Sequence, residues 1–135
     1  MKKFKRVLVA NRGEIAIRVF RACEELGIRS VAIYSEEDKN SLFRTKADEA
    51  YQIGKSKKPV DAYLGIDEII ALAKSKGVDA IHPGYGFLSE NIEFARKCEE
   101  EGIVFIGPDY IMMSKLGDKI KSKLVANSVE VPTVP

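Results

Sequence analysis

Val78-Asp79-Ala80-Ile81 followed by His82-Pro83-Gly84-Tyr85-Gly86-Phe87-Leu88-Ser89-Glu90-Asn91 is the stretch whose reading decides the architecture. The first four residues form a mainly apolar run of strand length. From Ile92 to Glu101 the pattern is helical. A strand end, a glycine-bearing loop and a helix start place the loop at the carboxyl edge of a sheet, where open α/β folds collect their ligands. Gly84 and Gly86 allow a tight turn and the close approach of a ligand to the backbone. Tyr85 and Phe87 either line a ligand or tuck into the core. Ser89 reads as the helix N-cap, and Glu90 suits the positive end of the helix dipole. His82, the single histidine, reads as a structural group at a strand end rather than as a base.

The same alternation extends in both directions. Arg6–Ala10, Ser30–Tyr34, Ala50–Ile53, Val78–His82 and Ile103–Ile106 are short apolar or β-branched runs, the signal of buried strands. Between them lie helical patterns. Ile15, Val19, Ala22, Cys23 and Leu26 mark the first, Ile66, Ile69, Ile70 and Ala73 the second, and Phe94, Ala95 and Cys98 the third. Gly27, Gly77 and Gly102 close them as C-terminal caps. Ser35–Glu49 is long enough to hold a helical turn, and residues 109–128 read as helical with a break near Gly117. Strands alternating with helices predict an α/β, Rossmann-like open parallel sheet of about five strands with helices on both faces.

Composition excludes several classes. The 135 residues suit one compact domain, and 45% apolar with 31% charged residues is an ordinary globular balance. A net charge of +2 gives no warrant for nucleic acid or an anionic membrane. No apolar stretch approaches the roughly 20 residues of a membrane span. The basic start lacks a signal-peptide core, so the cytoplasm is the expected compartment. Cys23 and Cys98 sit among apolar helical positions and read as small buried thiols. Two distant cysteines and one histidine predict no metal site. Lys55-Ser56-Lys57-Lys58-Pro59 reads as a solvated basic turn. The ending, Val131-Pro132-Thr133-Val134-Pro135, reads as an extended segment entering another domain.

Three further features carry charge or turn chemistry. Ala10-Asn11-Arg12-Gly13-Glu14-Ile15 is a strand-to-helix turn that could hold a phosphate, with Glu36 or Glu37 on a ribose. However, the dinucleotide fingerprint has three glycines where this turn has one, and Glu14 adds an unfavourable charge. Arg18, Arg21 and Glu25 share a helix face. Glu14 with Arg18 and Arg21 with Glu25 are spaced as i,i+4 ion pairs, and spacing alone makes this a solvated surface. Gly117-Asp118-Lys119 opens the last helix, with Asp118 as a candidate cap; Lys119 either reaches toward a phosphate or, with Lys115, Lys121 and Lys123, belongs to a solvated basic helix.

Taken together, Ala10-Asn11-Arg12-Gly13-Glu14-Ile15-Ala16, His82 through Asn91, Phe105-Ile106-Gly107-Pro108 and Gly117-Asp118-Lys119 resemble, in order and spacing, the N-terminal domains of biotin carboxylases. The resemblance covers essentially the whole chain. Tyr34-Ser35-Glu36-Glu37-Asp38, Ser41-Leu42 and Lys46-Ala47-Asp48-Glu49-Ala50 look most like the pyruvate carboxylase branch, and acetyl-CoA and acyl-CoA carboxylase subunits share the framework. The resemblance implies a pre-ATP-grasp domain over 1–116, with 117–135 leading into an ATP-grasp domain. It implies ATP, Mg2+ and biotin as cofactors of the full-length enzyme. It assigns Lys119 to ATP, and Tyr85, Gly86 and Glu90 to one wall of the biotin site. Arg18, Arg21 and Glu25 become a homo-oligomer contact. The implied partners are the chain's own ATP-grasp and C-terminal biotin carboxylase domains, a biotinyl carrier and a carboxyltransferase. No catalytic residue falls within the chain, so it is expected to be inactive alone and to bind ATP very weakly. The reading from another class is a stand-alone Rossmann-like nucleotide-binding module.

Overall fold

The computed structural model describes residues 4–55 and 57–107. Lys119, Asp118 and the expected helix over 109–128 lie outside the described residues. Five strands form one sheet: β1 (Arg6–Val9), β2 (Arg29–Tyr34), β3 (Glu49–Gln52), β4 (Ala80–His82) and β5 (Val104–Phe105). Their order is β3-β2-β1-β4-β5, and every pairing is parallel. β1 is therefore the central strand, with Leu8 in register with Val31 on one side and with Ile81 on the other. Among the described residues the helices are α1 (Gly13–Glu25), α2 (Pro59–Tyr63), α3 (Ile66–Ser75) and α4 (Ile92–Glu100). The long β2–β3 connection holds two 3-10 turns, Glu36–Asp38 and Phe43–Lys46.

Side-chain alternation along the strands builds a core on each face. Leu8, Val31, Ile33 and Ile81 point to the α3–α4 side, where they meet Ile69, Phe94 and Cys98. Val9 and Ala32 point to the other side, where they meet Ala16 and Phe20 of α1 and Phe43 of the second 3-10 turn. Gly27, Gly77 and Gly102 follow their helices with φ of 72°, 66° and 73°, as the sequence predicts. Both cysteines are buried free thiols, and burial pushes Cys98 up to about 12. Among the described residues no helix is long and apolar enough to cross a membrane.

Three local expectations are corrected. α4 begins after Asn91, whose Oδ1 accepts the Phe94 N–H at 2.8 Å. Asn91, not Ser89, is its N-cap, because residues 87–90 are spent in a turn, which also puts Glu90 ahead of the helix. The buried stripe of α1 is Ala16, Phe20 and Cys23, while Leu26 is 69% exposed. Glu14 and Arg18 form their ion pair at 3.6 Å, but Arg21 and Glu25 do not pair.

Candidate functional site

Loops leaving β1, β2 and β4 converge at the carboxyl edge of the sheet. From β1 come Asn11 and Arg12. From β2 come Ser35 and Asp38, and from β4 the loop 83–91. α2, which follows β3, contributes Tyr63. Asp38 is 2% exposed. Its carboxylate accepts from Arg12 Nε at 2.7 Å and from Arg12 Nη2. The fork-to-fork geometry is the strong form of this pair. Tyr63 donates its hydroxyl proton to Asp38 Oδ2 at 2.6 Å and accepts the Ser35 N–H at 3.0 Å. Burial works against the charged Asp38 carboxyl, yet the Arg12 and Tyr63 hydrogen bonds outweigh it and hold the group below the usual carboxylate range. Burial, then the bond to Asp38, raises Tyr63 to about 12.

The loop after β4 is tied into this network. The Phe87 ring lies 5.3 Å from that of Tyr63. Phe87 has φ of 46°, the one positive value for a non-glycine among the described residues. A bulky side chain in that region costs on the order of 1–3 kcal/mol and persists only where the surroundings over-determine it. Asn11, 2% exposed, donates from Nδ2 to the carbonyls of Pro83 at 2.8 Å and Tyr85 at 2.7 Å. The Tyr85 backbone is thus fixed while its side chain is 79% exposed. Beside Gly86 the space is open: a Cβ built there meets nothing within 4 Å. Glu90 is also exposed. An apolar cleft of about 420 Å³ opens next to the loop, and Tyr85, His82, Arg18 and Ile15 are among its lining residues. The helix arginine and the loop tyrosine, singled out separately in the sequence, meet at one cleft. Arg21 and Glu25 lie on the exposed surface of α1.

His82 shapes the loop, as expected. Its Nδ1 accepts the Gly84 N–H at 3.0 Å, which assigns the ring proton of the neutral form to Nε2. Burial pushes the pKa below its ordinary value. As pH falls, the unfolded chain therefore takes up this proton first. The contribution of neutral His82 is complete above about pH 6.5 and is lost as pH falls through the window between that value and the lower folded one. With a single histidine in the chain, urea unfolding at about pH 7.5 and about pH 5.5 should differ chiefly through this group. In His82→Asn, whose Oδ1 can accept the same N–H, the difference should shrink. An unchanged difference would show that the loop bond is not the titrating contact.

Sequence reasoning missed Asn11, Asp38 and Tyr63 as a set. Their partners lie far away in the chain, so no local pattern marks them. The one available signal was an asparagine directly after a buried strand, a residue suited to bonding loop backbone.

The family model described as "Biotin carboxylase, N-terminal domain" matches residues 3–113. The chain belongs to the biotin carboxylase N-terminal domain family. Pyruvate carboxylase of Bacillus subtilis is 62% identical over 134 residues, and human mitochondrial pyruvate carboxylase is 58% identical over the same length. The match covers 99% of this chain but 12% and 11% of those proteins, so the chain spans about an eighth of the length of these two relatives. Among solved structures, complete pyruvate carboxylase from Rhizobium etli superposes with a TM-score of 0.85 at 53% identity, covering 98% of this chain and 13% of that one. The biotin carboxylase domain of Hydrogenobacter thermophilus 2-oxoglutarate carboxylase, a dimer in complex with MgADP, ADP and bicarbonate, superposes at 0.86 with 56% identity, covering 100% and 29%. This biotin carboxylase N-terminal domain therefore has the parallel fold expected of it. The Asn11-Arg12-Gly13 turn has one backbone donor fewer for a phosphate, since the Arg12 N–H is taken by Asn11 Oδ1 at 2.8 Å.

Proposed function

We propose that this chain is the N-terminal domain of the biotin carboxylase component of a pyruvate carboxylase. The observation that carries the reading is its 62% identity to a pyruvate carboxylase across 134 residues. In such an enzyme ATP activates bicarbonate as carboxyphosphate, a biotin nitrogen is carboxylated, and another domain passes the carboxyl group to pyruvate. The residues present fit a wall of the biotin site. Tyr85 is exposed on a fixed backbone, Gly86 leaves room for a flat ring system, and Glu90 adds a nearby carboxylate. Lys119, outside the described residues, would supply positive charge to ATP, where phosphoryl transfer needs it. On this reading the Mg2+ ligands belong to the ATP-grasp domain that follows in the full-length enzyme. Arg18, Arg21 and Glu25 form the charged part of a contact with a second copy. A biotinyl carrier and a carboxyltransferase are the further partners.

A second reading has its own support, the 2-oxoglutarate carboxylase likeness. It shares the ATP and bicarbonate step and differs in the acceptor, which other domains select. The biotin carboxylase step common to both readings is tested by a chimera in which these 135 residues replace the equivalent part of the Bacillus subtilis enzyme. Bicarbonate- and biotin-dependent ATP cleavage should be restored. Lys119→Ala should lower it by about 10²-fold, and unchanged activity in that variant refutes the role of Lys119. The chain alone should show no carboxylation, and calorimetry giving micromolar ATP affinity would overturn its dependence on the following domain.

A further inference from the structure

The amide of Asn11 is fully engaged under the loop that forms the proposed biotin wall. Both hydrogens of Nδ2 are used, on the carbonyls of Pro83 and Tyr85. Oδ1 accepts the Arg12 N–H at 2.8 Å, and this backbone donor fixes which end of the amide is the nitrogen. Between the two carbonyls, Gly84 crosses directly over the amide with φ of 65°. A Cβ at Gly84 would stand 2.7 Å from Asn11 Nδ2 and 2.8 Å from Ile15 Cγ2. The loop can descend this far only because residue 84 has no side chain and residue 11 has two N–H groups on one short arm. Aspartate has the same shape and no donor, serine has one donor, and glutamine is a methylene longer.

We infer that Asn11 is the positioning residue of the biotin-site wall: it sets the Tyr85 carbonyl and the chain path into Gly86 without touching biotin itself. This rests on the biotin-site reading of the loop. Asn11 holds the first half of the loop by directional hydrogen bonds, whereas the Tyr63 ring holds Phe87 by apolar contact. Asn11 closely follows the central strand, whose last residue, Val9, is paired on both sides, and the intervening Ala10 donates its N–H to the His82 carbonyl at 2.9 Å. The position is therefore rigid, and a lost donor is felt by the loop rather than by the strand.

The test uses the full-length chimeric carboxylase with Asn11→Asp, Asn11→Ala and Gly84→Ala, the last disturbing the same contact from the loop side. ATP cleavage is followed while free biotin and ATP are varied separately. The KM for biotin should rise about tenfold or more, with the KM for ATP held within about twofold. Equal losses on both substrates, or an unchanged KM for biotin, would overturn the inference. If the unmodified chimera fails to cleave ATP with bicarbonate, it is the functional reading that fails. The inference is then decided by hydrogen exchange on the 135-residue chain. Asn11→Asp should speed exchange at Gly84 and Ser89 about tenfold or more while the β1 and β2 amides stay protected. Unchanged or uniformly faster exchange counts against it.

Discussion

Replacing Arg12 by alanine is expected to destabilise the domain by about 3 kcal/mol, and Asp38→Asn by about half of that. The order follows from exposure. The Arg12 side chain is 47% exposed and that of Asp38 only 3%. With Arg12 gone, a nearly buried carboxylate loses its counter-charge and is left with neutral partners, among them Tyr63 and a 3.3 Å contact from Ser41 Oγ. With Asp38 neutralised, the guanidinium turns to water. For a domain of this size the Arg12→Ala loss corresponds to a drop in Tm of roughly 10 °C. Acid stability should change too. The Asp38 carboxyl is lowered in the fold, so its contribution is complete above about pH 4 and is lost as pH falls through the folded value. Arg12→Ala should flatten that acid limb. Thermal melts of both variants between about pH 7 and about pH 3 check the claim, and the reverse ranking would sink it.

Gly54→Ala carries the other large effect. Gly54 has φ of 60°, and a Cβ there would lie 2.2 Å from Ala62 Cβ and 2.7 Å from Ala62 Cα. A backbone atom cannot turn aside as a flexible side chain can. The left-handed backbone costs about 1 kcal/mol for alanine, and the overpacking a further 1–3 kcal/mol or so. We expect a loss of about 3 kcal/mol. Relief requires α2 to move, and α2 carries Tyr63, the support of both Asp38 and Phe87. The variant should therefore loosen the β4 loop as well, read as faster amide exchange at Ser89. A stable variant with an unchanged loop would show that α2 is not coupled to it.

Much of this architecture was legible in the residues. Strand positions follow from buried apolar runs, and three glycines mark the helix ends because each must take a left-handed backbone there. The face of α1 was not legible. Ile15, Ala16, Ile17, Val19, Phe20, Ala22 and Cys23 cover more than half of the helix circumference, so periodicity admits more than one buried stripe, and packing on Val9 and Ala32 selects Ala16 and Phe20. The cap of α4 was ambiguous because Ser89 and Asn91 are both good capping residues, and only the turn before them decides. Tyr85 and Gly86 were found through motif resemblance. The residues that hold them, Asn11 and Tyr63, come from other loops and are joined to them only by the fold.

The strand order also governs events on the ribosome. β1 is made first yet lies at the centre, and its partner β4 arrives more than seventy residues later in register Leu8 to Ile81. At the usual 5–20 residues per second, one side of β1 waits on the order of 4–15 s for its neighbour. During that interval Val7, Leu8 and Val9, all later buried, present an open apolar edge. A nascent chain paused before residue 82 should therefore attract chaperones, and one extended well beyond β5 should release them.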